Sequence, residues 1–342
     1  MRAITCKRYG DPVDVLHVDE VEEPTIGDRD VLVEVTATSV NPADWHLVRA
    51  TPAIARLSTG LRRPGFRIPG SDLAGRVLTV GAAVTTVEPG DEVYASTFMA
   101  GFGAFAERVA VPEGLVATKP TNLTAAEAAA VPLAGSTALQ AVRDHARIAA
   151  GDRVLVIGAS GGVGTFAVQL ARAVGADVTG VCSAANVPLV ASLGATRALD
   201  YRKDDLADGG PYDAIIELAG TTPASRLRRL LTAGGRLVQL SGDSPNRVVG
   251  PMGRILAGRV LSAFVPQTIT SFTVRPNAAD LAELRRHLEA GDARPVVGRS
   301  FDLDDIATAF THVESGHGAG KTVVSIAAAA TGDAPTARST TR

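Results

Sequence analysis

The chain predicts an α/β fold in which a doubly wound parallel sheet is joined to a β-rich unit. Three observations carry this expectation. The apolar run Val154-Leu155-Val156-Ile157 leads directly into Gly158-Ala159-Ser160-Gly161-Gly162-Val163-Gly164. Residues 165–174 then read as a buried helix. From Asp152 to about Val265, strand and helix patterns alternate, the grammar of parallel βαβ units.

The elements follow in order. Residues 31–37 alternate apolar and polar with period two, and residues 75–80 and 107–111 read as further short strands. Turns such as Glu88-Pro89-Gly90-Asp91 punctuate them. Near Thr124 the pattern becomes helical, over residues 125–130 and 136–149. Thr124 as N-cap and Glu127 three positions on form a capping box. In the alternating region, strands are expected at 153–157, 177–182, 196–199, 213–217 and 236–240, and helices at 163–174, 186–193 and 223–232. Gly175, Gly194 and Gly234 would close helices. A helix at 280–290 and strands near Val296 and over 321–326 lie outside this alternation and are expected to return to the first unit. Residues 327–342 are rich in Ala, Thr, Pro and Gly, without periodicity, and are expected to form a disordered tail.

A strand that turns sharply into a helix presents unpaired backbone N–H groups and a positive dipole end to an anion. Glycines there allow the tight turn, the approach of a pyrophosphate and the packing of helix on strand. Ala159 stands where the first glycine of G-x-G-x-x-G would be, so the pattern is a variant. With a strand before it, a helix after it and a second strand at 178–182, it marks a dinucleotide site. The plain alternative is a structural glycine turn.

The 342 residues allow two domains. A net charge of −2 leaves no electrostatic footprint for nucleic acid or an anionic membrane. The two cysteines, Cys6 and Cys182, support neither a disulfide framework nor a thiolate zinc site. No signal-peptide pattern opens the chain and no apolar run reaches membrane-spanning length, so a cytoplasmic protein is expected.

Several ordered motifs resemble the medium-chain dehydrogenase/reductase superfamily, specifically its zinc-free quinone oxidoreductase branch. They are Asn41-Pro42-Ala43-Asp44, Ile68-Pro69-Gly70-Ser71-Asp72-Leu73-Ala74-Gly75, Pro89-Gly90-Asp91-Glu92-Val93, Gly103-Ala104-Phe105-Ala106-Glu107, the stretch around Gly135-Ser136-Thr137-Ala138, the glycine turn and Gly320-Lys321-Thr322-Val323-Val324. The resemblance runs from residue 1 to about 326. It implies a GroES-like catalytic domain over 1–123 and 272–326, a Rossmann domain over 124–271, and a cofactor in the cleft between them. It also implies a homodimer formed by edge-strand pairing, with residues 260–264 the candidate strand. Zinc-dependent relatives carry a cysteine at the first motif and a His-Glu pair in the second. Here Asn41 takes the cysteine position and Ser71-Asp72 replaces His-Glu, so no metal is expected.

The strand ending at Cys182 is followed by Ser183, Ala184, Ala185 and Asn186, with no carboxylate to hold a ribose 2′-OH. Ser183 and Asn186 can donate to a 2′-phosphate, and Tyr201 resembles the family residue lining the adenosine pocket. NADPH is therefore expected over NADH. A basic partner for the phosphate is missing near Ala185 and Ala319, and Lys321, Arg202 or Lys203 are candidates to supply it. Ser160, Gly161, Gly162 and Val163 would hold the pyrophosphate. Thr137, Ala219, Leu240, Ser241, Phe264 and Val265 are placed by the resemblance along the cofactor toward its nicotinamide.

The catalytic candidates are Asn41, whose amide could polarise a substrate oxygen, and His46, whose imidazole could deliver a proton. The plain readings are an Asx turn before Pro42 and a histidine in the cleft wall. Asp44 and Asp72 read as hydrogen-bond hubs, and Arg226, Arg228 and Arg229 as a solvated helix face. Residues 50–66 are expected at the substrate mouth. The implied activity is zinc-independent, NADPH-dependent hydride transfer to small-molecule quinones or α,β-unsaturated carbonyls. A non-catalytic NADPH-binding redox sensor or scaffold, and an NAD(P)-dependent alcohol dehydrogenase, are the alternatives.

Overall fold

Two large sheets organise the molecule. The structure, a computed structural model, describes residues 1–220, 222–240, 248, 250, 252–316 and 318–326. The expected tail, residues 327–342, and Ser241 lie outside them.

The hairpin-like pair β1 (Arg2–Cys6) and β2 (Leu16–Glu20) opens the chain. The first large sheet contains β3 (Asp30–Val40), β4 (Asp72–Val80), β5 (Glu92–Ser96), β6 (Arg108–Pro112) and β7 (Val116–Thr118). The second is built from β8 (Arg153–Ile157), β9 (Asp177–Cys182), β10 (Arg197–Asp200), β11 (Tyr212–Glu217), β12 (Leu231–Gln239) and β13 (Thr268–Thr270). The chain then returns to the first sheet through β14 (Val297–Asp302) and β15 (Lys321–Ser325), as expected.

The first sheet runs β14-β15-β3-β4-β5-β7, with β6 also paired to β3. All its pairs are antiparallel except β14 with β15. The second runs β10-β9-β8-β11-β12-β13 and is parallel throughout. Counted from β8, this is the dinucleotide-fold order 3-2-1-4-5-6, with its reversal between β8 and β11. Both faces are covered, so alternate residues of β8 feed different cores. Val154 and Val156 join one apolar cluster, whereas Leu155 and Ile157 join another.

Most expected elements appear within a residue or two of their predicted bounds, including the Thr124–Glu127 capping box. Three expectations are corrected. The helix expected over 223–232 stops early: Ala224–Leu227 is helical, a 3-10 turn follows, and β12 begins at Leu231 because Leu231 pairs with Tyr212. The helix expected to reach 149 runs over Pro132–Gln140 and loosens into a π turn, Ala141–His145. Residues 260–264 are no edge strand. They close the helix Met252–Ser262, and the sheet edge is the three-residue β13.

Candidate active site

A cleft of about 2160 Å³ runs past the carboxyl ends of β8, β9, β11 and β12, where open α/β sheets bind ligands, and meets the β3–β4 sheet on its other side. Its backbone feature is the glycine turn. β8 ends at Ile157, Gly158 takes φ +85°, and the helix Gly162–Ala173 starts from Gly161 as N-cap, with no side-chain cap. A Cβ on Gly164 would lie 2.1 Å from the Gly158 carbonyl oxygen, so only glycine lets helix and turn approach this closely. A Cβ on Gly161 would meet only the Gly158 oxygen, at 3.5 Å, leaving room above the turn.

Asn41, His46, Thr137, Ser160, Gly161, Gly162, Val163, Ser183, Asn186, Tyr201, Ala219, Leu240 and Lys321 all line this cleft. Asn186 Nδ2 donates to Ser160 Oγ at 3.1 Å, tying the β9 end to the glycine turn. The Ser160 carbonyl accepts from Gly320 N at 2.8 Å, which joins the turn to the start of β15. Phe264 and Val265 are not brought to the cleft. Phe264 is 82% exposed, and Val265 packs on the apolar cluster beneath the parallel sheet. Residues 271–277, beginning with Ser271, Phe272 and Thr273, line the cleft.

Beside Tyr201, a carboxylate absent from the β9 end arrives from the turn after β10. Asp204 lines the cleft and accepts from Asp200 N at 2.7 Å. Arg202 lies with its guanidinium 5.4 Å from the Tyr201 ring centre. Lys321 cannot serve that end, because its ammonium is held elsewhere.

That ammonium sits in a buried polar cluster on the cleft floor. Lys321 donates to Asn41 Oδ1, and its Nζ lies 3.4 Å from Asp72 Oδ2. The same Asp72 carboxylate accepts from Ser39 Oγ at 3.0 Å, Asn41 Nδ2 at 3.0 Å and Leu133 N at 2.9 Å. Asp44 accepts from Asn41 N at 2.8 Å and Ser71 Oγ at 3.0 Å. Both aspartates are thus hydrogen-bond hubs, as expected. Burial, and then the neighbouring Asp72 charge, push the Asp44 carboxyl up to about 7, against its hydrogen bonds and the Lys321 charge. Asn41 is also the N-cap of the Pro42–Arg49 helix, but its side chain makes no cap hydrogen bond: it is turned to Lys321 and Asp72, while its backbone N–H donates to Asp44.

His46 stacks on Trp45 at 3.6 Å, and its Nδ1 lies 2.6 Å from the Thr51 carbonyl oxygen. A carbonyl only accepts, so Nδ1 carries a proton, and delivery to a ligand falls to Nε2. Sequence reasoning missed a second aromatic wall. His145, in the π turn, stacks on Phe272 at 3.9 Å, with the rings nearly parallel, and burial lowers the His145 pKa. Phe98 and Met99, on the loop after β5, also line the cleft. A helix that loosens into a π turn is a local signal of function, but composition alone does not reveal it. Arg226, read as merely solvated, is exposed yet lines the cleft as well.

A dinucleotide fits these residues. The Gly162–Ala173 helix turns its N-terminus to open space, and Gln239 Nε2, at the end of β12, is buried on the cleft without a described partner. Zinc does not fit. The positions that hold it in zinc-dependent relatives carry an amide, a hydroxyl and a carboxylate, with an ammonium seated on two of them. Tetrahedral zinc takes thiolate, imidazole or carboxylate ligands, and a neighbouring cation opposes a dication. Among the described residues, no group of three or more His, Cys, Asp or Glu side chains could hold a metal ion.

A parallel dinucleotide-type sheet facing a β-rich sheet across one cleft defines a two-lobed dehydrogenase fold. Comparison with known proteins agrees. The family model for an alcohol dehydrogenase GroES-like domain matches residues 27–121, and that for a zinc-binding dehydrogenase matches residues 193–324. The chain is 32% identical over 339 residues to the chloroplast envelope quinone oxidoreductase homolog of Arabidopsis thaliana, covering 95% of this chain and 98% of the relative. It is 33% identical to the NADPH-dependent alkenal/one oxidoreductase of the same plant, covering 95% and 79%. The solved quinone oxidoreductase from Coxiella burnetii superposes with a TM-score of 0.83 at 28% identity, covering 96% and 99%. The chain belongs to the medium-chain dehydrogenase/reductase superfamily, among relatives of the quinone oxidoreductase kind.

Proposed function

We propose that the protein is a zinc-independent, NADPH-dependent reductase of quinones or α,β-unsaturated carbonyl compounds. One observation carries the reading: a single cleft joins the glycine turn to Asn41, His46 and Lys321. Bound along it, the cofactor would supply a hydride from its nicotinamide ring. Ser160, Gly162 and Val163 would offer backbone N–H groups to the pyrophosphate, and Gly161, whose N–H is held by the Gly158 carbonyl at 3.1 Å, would leave it room. Ser183, Asn186 and Tyr201 would hold the adenosine end, and Arg202, whose guanidinium lies by the Tyr201 ring, would meet a 2′-phosphate there. Trp45, Phe98 and Phe272 give a planar acceptor apolar walls. His46 would deliver a proton through Nε2 once hydride has been received. The alkenal/one oxidoreductase and quinone oxidoreductase relatives support this substrate class.

The test is NADPH consumption against a panel of quinones and enones, repeated with NADH. Turnover with NADPH at least about tenfold better in kcat/KM is expected, the worth of one good hydrogen bond to a charged group. Tight NADPH binding with no turnover on any acceptor would favour the sensor reading. Oxidation of simple alcohols in preference to enone reduction would favour the dehydrogenase.

Two smaller expectations are carried forward with new footing. Cys6 and Cys182 are free and buried, which suits the reducing cytoplasm. Among the described residues, no helix is long and apolar enough to cross a membrane. A homodimer would use the face on which Met252, Leu256, Val260 and Phe264 are exposed at four-residue spacing, beside β13. Light scattering that reports a monomer would refute it.

A further inference from the structure

The mismatch between the zinc-type positions and the side chains that fill them points to a replacement. In the zinc-dependent pattern, the catalytic metal is gathered by the residues at the Asn41 and Ser71-Asp72 positions. Here the Lys321 ammonium lies on Asn41 Oδ1 and faces Asp72 Oδ2. We propose that Lys321 is the electrophile of this site, a cation supplied by the chain itself where relatives hold their metal. The inference rests on the reductase reading above.

Four features support it. Of the cationic side chains described as lining the cleft, Lys321 is the buried one, only 4% exposed, whereas Arg143, Arg226, Arg259 and Arg275 are all exposed. A buried charge acts through a low dielectric and is worth more to a developing anion. Second, the ammonium has three N–H bonds and the cluster engages two, leaving one for an acceptor in the cleft. Third, the buried ion pair with Asp72, at 3.4 Å, fixes where the ammonium sits, while the Asp72 oxygens also accept from Ser39, Asn41 and the Leu133 amide. Fourth, the lysine stem crosses the glycine turn: a Cβ on Gly162 would lie 2.7 Å from Lys321 Cδ. The side chain therefore spans from the phosphate-binding turn to the Asn41 floor.

The step balances without a metal. An enone β-carbon that gains a hydride shifts its C=C pair toward the carbonyl carbon, and the C=O π pair moves onto oxygen. The oxygen becomes an enolate held by the Lys321 N–H, the nicotinamide is left oxidised, and the α-carbon takes one proton from His46 or water. Lys321 keeps its own proton throughout. Asn41 is then a positioning residue, its carbonyl turned to the ammonium and its amine to Asp72.

The test uses the full-length protein. Metal analysis is expected to find no stoichiometric zinc after dialysis against a chelator. With benzalacetone as acceptor, Lys321→Met should lower kcat about 10²-fold, the cost of losing one oxyanion partner. NADPH affinity by fluorescence should change by less than about threefold, since one tenfold step is 1.4 kcal/mol. Across para-substituted benzalacetones the variant's rate should depend more steeply on ring substituents, which a merely structural loss would not produce. A second readout needs no turnover: para-nitrophenol bound to the NADP⁺ complex should ionise at lower pH than in free solution, and Lys321→Met should abolish that shift. If the wild type reduces no quinone or enone, the reductase reading fails, while the nitrophenol shift still decides the role of Lys321. Should Lys321→Met not fold, Lys321→Gln, which keeps a donor without the charge, reads the same quantities. One zinc per chain, or a neutral variant that keeps both rate and phenol shift, overturns the proposal.

Discussion

Replacing Gly164 and Gly161 one at a time separates the two duties of the glycine turn. A Cβ on Gly164 meets backbone: the Gly158 oxygen at 2.1 Å, Ala159 Cα at 2.8 Å and Ala159 C at 2.9 Å. None of these is a flexible side-chain end, so the Gly162–Ala173 helix must back away by roughly 1 Å to restore ordinary contact. Overpacking of this kind costs about 1–3 kcal/mol, and a backbone clash belongs at the upper end. For a chain of this size, about 3 kcal/mol lowers the melting temperature by roughly 5–10 °C. The same displacement moves the N–H groups meant for the pyrophosphate, so NADPH affinity falls too. Gly161→Ala is the control. Its Cβ has open room, with one ordinary contact at 3.5 Å, so the melting temperature should hold within about 1 °C, as for a substitution without steric cost. The methyl would instead fill the space that bound pyrophosphate requires, and the Kd for NADPH should rise about 10- to 100-fold, one to two charge-assisted hydrogen bonds. Thermal unfolding and fluorescence titration of both variants give the answer. Unchanged NADPH affinity in Gly161→Ala, or an unchanged melting temperature in Gly164→Ala, would refute the reasoning.

Three further outcomes are expected. His46→Phe keeps the stack on Trp45 but removes the proton held against the Thr51 carbonyl; if His46 is the donor, kcat for enone reduction falls about 10²-fold. An unchanged rate and an intact pH profile would show that water delivers the proton. Asp44 has its carboxyl raised to about 7 from an ordinary 3.8, so the unfolded chain loses this proton first. The folded state is therefore penalised progressively as pH rises from about 4 to 7, and Asp44→Asn should flatten the fall in melting temperature over that range. Tyr94→Phe deletes the buried hydroxyl that donates to the Leu281 carbonyl at 2.6 Å. It should cost about 1 kcal/mol of stability, seen in thermal unfolding, with NADPH affinity unchanged.

Local chemistry was legible wherever one stretch of chain settles its own conformation. The glycine turn, the Thr124–Glu127 capping box and the β8–β9 pattern depend on neighbours a few residues apart, and they stand where the sequence places them. The failures share a different cause. Residues 260–264 have strand-like composition but finish a helix, and the adjoining β12 extends back to Leu231 because Tyr212 pairs there. The resemblance puts Phe264 by the nicotinamide, yet it is exposed off the cleft, which Met252, Ile255 and Arg259 line before it and residues 271–277 after it.

The sequence by itself determined that a strand runs through a glycine turn into a helix and which sheet carries it, and the resemblance marked the zinc-type positions, where cysteine and His-Glu are missing. What fills those positions was decided only by the tertiary structure. Lys321 is 280 residues from Asn41 and 249 from Asp72, and it entered the sequence reading as a possible phosphate partner. β15 pairs with β3 and brings the lysine beside Asn41, while the glycine turn supports its stem. Propensity and spacing act over a few residues, whereas a buried ammonium needs partners that only sheet pairing between distant segments can supply.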